Sequence, residues 1–258
     1  MKFIFFLISV LKLFIYIECD TTIDVSTLSE DVEIAASGTY ILTGTSSTAS
    51  FEIADSLTNV NLIFNTLSLS SSSKTLLTIG SSSSVNIQIS QDSTLSATGY
   101  TAVTLNSNSE LSINGSSTLN VIGTYGFNGD NTTSLTVNSG TISITSTSDG
   151  ILVGSAITIN DGALQISSSN YGINSPGTTT IASGTIVISS TQTSIYSNKN
   201  VVITGGIFLL SSTSGNGIHA DYNITIGKES GSDDDLMLNI EKCDEGIEGA
   251  IIKYILEQ

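Results

Sequence analysis

Asp149 stands immediately before Gly150-Ile151, Asn174 follows Gly172-Ile173, and Asn216 precedes Gly217-Ile218. Asp244, Glu245 and Glu248 surround Gly246-Ile247. Carboxylate and amide oxygens brought to one edge of a repeating structure make a site for a hard cation. Calcium takes about six to eight oxygen ligands and accepts irregular geometry, so it is the ion this set suggests. The same residue types also serve tight turns, and stacked Asn side chains can bond one turn of chain to the next. From the residues alone both readings stand.

Aromatic and polar residues share the same edge. Tyr125, Tyr171 and Tyr196, with Tyr100 and Tyr222, fall near the Gly-Ile step, as do Asn128 and Asp130 beside Phe127 and His219 after Ile218. Tyrosine offers an apolar ring and a hydroxyl, which together suit a sugar; it also serves to cap an apolar interior at a turn. His219 is the only histidine, and no cysteine pair can join it around zinc. The tract Asp233 to Asp235 lies in "GKESGSDDD" and is expected to be a solvated loop.

These residues need elements that repeat. Gly140, Gly162, Gly184 and Gly206 follow one another at intervals of 22 residues. Apolar rows keep step with them: Val137, Ile159, Ile181 and Ile203; Ile142, Leu164, Ile186 and Phe208; Ile144, Ile166, Ile188 and Leu210. Ile151, Ile173, Ile195 and Ile218 make a fourth row. Within each interval apolar residues alternate with Ser, Thr or Asn, as in "TISITS" and "TIVISS". That is the period of a strand with one buried face. Three short strands per repeat, broken at Gly, Asn and Asp, describe one coil of a parallel β-helix whose coils stack about 4.8 Å apart.

The expected fold is therefore all-β: a single-stranded right-handed parallel β-helix of roughly nine coils, about 22–24 residues each. Upstream, Gly99 and Gly123 suggest a step of 24 residues. Downstream, Leu238, Ile240 and Ile247 are expected to rejoin the rows after an insertion, and "AIIKYILEQ" is the one stretch with a helical look. A β-sandwich would not require a constant offset.

Composition limits the partners. The net charge is −16, and every basic residue is Lys. Nucleic acid and anionic membrane surfaces are poor partners for such a chain. Residues 1–19 carry Lys2 and an apolar run ending before Asp20, which marks a signal peptide with cleavage near Cys19. Residues 20–258 then form one extracellular domain, secreted or at the cell surface, with no membrane insertion after cleavage. Only Cys243 remains beyond residue 19, so no disulfide framework is expected. Asn114, Asn131 and Asn223 are sequons consistent with export.

The runs "GINSPGTTTIASGTIVISS", "GNGIHADYNITIG" and "DEGIEGAIIK", with "SGTYILTG" near the start, resemble the carbohydrate-binding domain family of secreted parallel β-helices. That family is similar in shape to polysaccharide lyases. The resemblance implies binding of cellulose- or pectin-like polysaccharide with bound calcium. By motif it implies calcium or glycan contacts at Asp149, Asn174, Asn216, Glu245 and Glu248. The chain departs from the pattern at Thr193-Ser194-Ile195, which replaces an Asp-Gly-Ile step.

Catalysis is not expected. Lyases of this shape use an Arg or Lys base, but Arg is absent and no Lys lies in the Gly-Ile row. Glu245 and Glu248 share one turn and provide no opposed pair for glycoside hydrolysis. A surface adhesin or structural stalk is the alternative function. Ice binding is a remoter one, since Ser, Asn and Gly interrupt the Thr rows.

Overall fold

The computed structural model describes residues 13–15, 21–228 and 236–255. Its strands pair in parallel and wind into a β-solenoid of about nine turns, about 23 residues per turn. Three short strands make most coils, and in others two of them run on as one strand, as in Val60–Ser71 and Ile218–Ile226, so three rows run along the molecule. Face A includes Phe127–Gly129, Ile151–Leu152, Ile173–Ser175 and Ile195–Ser197. Face B includes Ser84–Ile89, Glu110–Gly115, Ser134–Val137, Ala156–Ile159 and Thr178–Ile181. Face C includes Thr118–Gly123, Thr141–Ser146, Ala163–Ser168, Thr185–Ser190 and Gly206–Ser212.

Alternation makes these strands and sets which side faces in. In Thr141–Ser146, Ile142 and Ile144 are buried while Thr141, Ser143 and Thr145 point outward. Pairing then places like over like: Ile144 on Ile166, Ile166 on Ile188, Ile188 on Leu210. Ile151, Ile173, Ile195 and Ile218 stack in the same way on face A. Each fully buried aliphatic side chain contributes about 1.5–3 kcal/mol of transfer free energy. A single coil cannot bury its face alone, so that gain exists only between neighbours.

Two sets of glycines fix how closely coils approach. Gly162 and Gly184 hold φ of +101° and +100° at the corner before face C. There a Cβ would come within 2.6 and 2.5 Å of the carbonyl oxygens of Gly140 and Gly162. The second set precedes face A. A Cβ on Gly126, Gly150, Gly172 or Gly217 would meet Cγ2 of Ile144, Ile166, Ile188 or Ile240 at 2.6, 2.5, 2.3 and 2.3 Å. Ser194 takes the equivalent place one coil after Gly172, and there the residue over Ile188 is Leu210, which has no Cγ2.

Register differs from the sequence reading upstream. Ala97, not Gly99, pairs with Gly123, so that step is 26 residues. Gly99 instead sits in a corner with φ +79°. Leu238, Ile240 and Ile247 do rejoin the rows, over Phe208, Leu210 and Ile218. The expected helical end is instead the strand Ile247–Tyr254, which pairs with Ile218–Ile226. The open edge of the preceding coil decides that conformation over local propensity. Asp233 to Asp235 lie outside the described residues, as does the 1–19 segment apart from Leu13–Ile15, which pairs with Val32–Ile34. No described helix is long and apolar enough to cross a membrane.

Candidate functional site

Face A carries an outward column in which Asn128, Leu152, Asn174, Tyr196, His219 and Glu248 succeed one another coil by coil. The strand Ile218–Ile226 begins with Ile218 and Ala220 buried, so His219 and Asp221 share the outer side. The next coil places Glu248 against His219. His219 Nδ1 lies 2.6 Å from Glu248 Oε2, and Nε2 lies 3.1 Å from Asp221 Oδ1. Carboxylates only accept, so both contacts are hydrogen bonds when both ring nitrogens carry protons.

Asn216 ties the same coils together. Its Nδ2 donates to Glu248 Oε2, its Oδ1 accepts from the Glu245 N–H at 3.3 Å, and its own N–H donates to Thr193 Oγ1 at 3.2 Å. Rings stack along the column, with Tyr171 joining from the turn before the strand Ile173–Ser175: Tyr196 to His219 is 5.2 Å between centroids at 24°, and Tyr171 to Tyr196 is 5.3 Å at 34°. Both separations are close to the coil spacing, so the rings lie over one another. Tyr196 has Tyr171 in the coil before it and His219 in the coil after. A ligand on the outside therefore meets ring edges and hydroxyls rather than open faces. Burial, then the charge and hydrogen bond of Asp221, raise the Tyr196 phenol above its ordinary range. Its hydroxyl is 3.4 Å from Asp221 Oδ1. Beside this column is a depression of about 420 Å³ lined by His219, Asp221, Glu248 and Gly249.

A family model described as "Carbohydrate-binding domain-containing protein" matches residues 29–251. The chain belongs to that family. Neither the curated proteins nor the solved structures contain a match. A polysaccharide-binding role follows from membership, and a non-catalytic protein is consistent with it.

Within this carbohydrate-binding domain the remaining candidates are distributed as follows. Asp149 is almost fully buried, and its oxygens accept from Asn170 Nδ2 at 2.5 Å, Tyr171 N–H at 3.2 Å and Asn174 Nδ2 at 2.9 Å. Those bonds stitch neighbouring coils together. Asp244 is exposed, and its N–H donates to the Gly215 carbonyl at 2.9 Å. The six residues named for calcium thus fall into two groups, Asp149 with Asn174 and the last-coil set around Asn216 and Glu248. As placed they do not form one cage. Among the described residues no three His, Cys, Asp or Glu side chains gather as a metal site.

Tyr125 is half-buried outside the ring stack, with its carbonyl accepting from the Ala102 N–H at 3.0 Å. Asn128 lies in the outward column between Thr104 and Leu152. Asp130 has turned the following corner. It accepts from Ser107 Oγ, from Thr132 Oγ1 at 2.6 Å and from the Thr132 N–H at 2.9 Å, and these bonds hold its carboxyl below the usual range. Asp221 is the residue that the sequence reading passed over. Its signal was present: in "IHAD", His219 and Asp221 are two apart on one strand and must share a side. The imidazole lies between Asp221 and Glu248.

Proposed function

We propose that this is a secreted, non-catalytic polysaccharide-binding protein whose glycan lies along face A, over Tyr171, Tyr196, His219 and Asn216. The observation that carries the reading is the ring ladder beside an open, polar depression in a chain of the carbohydrate-binding family. Phenol hydroxyls and a carboxamide are suited to sugar hydroxyls because each both donates and accepts, while the His219 ring, with its nitrogens turned to Glu248 and Asp221, holds those carboxylates in place beside them. Coil-to-coil bonds already fix these side chains, which lowers the entropy lost on binding.

Charge selects among glycans. The site holds Asp221, Glu245 and Glu248 out of the carboxylates that give the chain its net charge of −16, and a neutral cellulose-like chain approaches freely. A pectin-like uronate is repelled unless a divalent cation is shared between it and the exposed last-coil carboxylates. Calcium assistance is therefore expected for the acidic ligand alone. Retention on insoluble cellulose and on immobilised polygalacturonate, with calcium or with chelator, tests both parts. Cellulose retention should survive the chelator, and polygalacturonate retention should not. Absence of retention on both supports in both conditions would refute the function. N-terminal sequencing of exported protein tests the signal peptide, with a start near Asp20 expected.

A further inference from the structure

Face B carries a depression of a different character, several coils before the ring stack of Tyr171, Tyr196 and His219. It measures about 390 Å³ and is lined by Asn59, Asn61, Ser84, Asn86, Gln88 and Ser112, with Val60 and Val85 between them. No charged side chain lines it, although the chain as a whole carries −16. Register explains how the amides meet. Asn61, Asn86 and Ser112 succeed one another in one outward column, while Gln88 and Asn114 pair in the next.

Hydrogen bonds order these groups from coil to coil. Asn86 Nδ2 donates to Asn61 Oδ1 at 2.6 Å, Ser112 Oγ donates to Asn86 Oδ1 at 3.0 Å, and Asn114 Nδ2 donates to the same oxygen. The bonds fix the direction of the Asn61, Asn86 and Asn114 amides. They leave Asn61 Nδ2 and the whole Gln88 carboxamide without a hydrogen bond to any described residue. A row of held amides with free donors and an acceptor beside them is what vicinal hydroxyls bind, since a carboxamide gives and takes a hydrogen bond at once. Because the lining is uncharged, ligand entry strips no ion of water.

We propose that this amide-lined depression is a second glycan site, selective for neutral sugars. It reads hydroxyls through Asn61, Asn86 and Gln88, without rings or carboxylates, and it stands independently of binding at face A.

The test is calorimetric titration of the full chain with cellohexaose and xylohexaose, followed by Gln88→Ala, Asn61→Ala and Tyr196→Ala. Gln88 bonds no described residue, so Gln88→Ala should leave the thermal midpoint unchanged. It should weaken one class of sites about five- to tenfold, as expected for one lost hydrogen bond. Tyr196→Ala should spare that class. If Tyr196→Ala abolishes all binding, or if both face B variants titrate like the parent, the second site is refuted. It is equally refuted if the parent binds neither probe. If face B binding persists while Tyr196→Ala changes nothing, the face A proposal fails and this one holds.

Discussion

Replacing Gly172 with alanine places a methyl group 2.3 Å from Ile188 Cγ2 and 2.6 Å from the Ser194 carbonyl oxygen. Carbon atoms in contact prefer about 3.5–4.0 Å, so something must move. The carbonyl belongs to the hydrogen-bonded ladder and is the harder of the two to shift, because the Ile173 N–H donates to it at 2.9 Å. Overpacking of this kind costs about 1–3 kcal/mol, and the upper end applies because both neighbours are fixed. The protein carries its own remedy one coil later, where Ser194 fits under Leu210. Ile188→Leu alone should cost less than about 1.5 kcal/mol. With both changes present the Cγ2 contact is gone, and the pair should be less damaging than the sum by about 1–2 kcal/mol. Urea and thermal unfolding of the four proteins, followed by circular dichroism, measure that coupling. One kcal/mol corresponds to about 2–4 °C for a domain of this size. Strictly additive costs would show that Ile188 Cγ2 is not what demands glycine, and the lock between the two rows would be discarded.

Other outcomes are open to the same methods. Thr179 is fully buried, and its hydroxyl has no hydrogen-bond partner. Thr179→Val should therefore raise stability by about 1 kcal/mol in urea unfolding, and a loss would show that the hydroxyl is satisfied in solution. Burial works against the Asp31 charge, but Lys74 and Ser50 outweigh it and hold the carboxyl below its ordinary value. A lowered folded value adds stability above about pH 4 that is lost as pH falls through that value. Asp31→Asn should flatten the acid limb of the urea midpoint, and an unchanged limb would contradict the ion pair. His219→Ala removes the group between Glu248 and Asp221 and should weaken glycan retention at least about fivefold with little change in thermal midpoint. In protein exported by a eukaryotic host, glycopeptide mapping should find Asn131 occupied and Asn114 empty. Asn131 is exposed at a corner, whereas Asn114 lies in a strand with its amide bonded to Asn86.

The sequence displays the fold most clearly where corner lengths do not change. From Val137 to Phe208 a constant offset of 22 makes each row visible, and the strands pair in that register. Upstream the corners vary in length, so the sequence pattern aligns Gly99 with Gly123 although Ala97 is its partner. Alternation alone could not show that, because a shift of two residues leaves the buried face intact. Asn174 and Tyr196 are legible as column neighbours for the same reason as the rows, since they stand 22 residues apart. Asp221 was legible in principle from its spacing to His219. The bond between His219 and Glu248 was not, since the long segment between them hides how closely the two coils meet. Nor did the pattern reveal the amides of face B, because each looks like an ordinary surface residue until three coils are laid side by side.

The ring ladder has an optical side. The chain contains no tryptophan, so its near-ultraviolet circular dichroism comes chiefly from tyrosine. Tyr171 and Tyr196, held 5.3 Å apart at a fixed tilt, are the pair whose transitions couple. The proposed glycan site thus carries its own chiroptical reporter, able to register a sugar, a mutation or the opening of a coil without an added label.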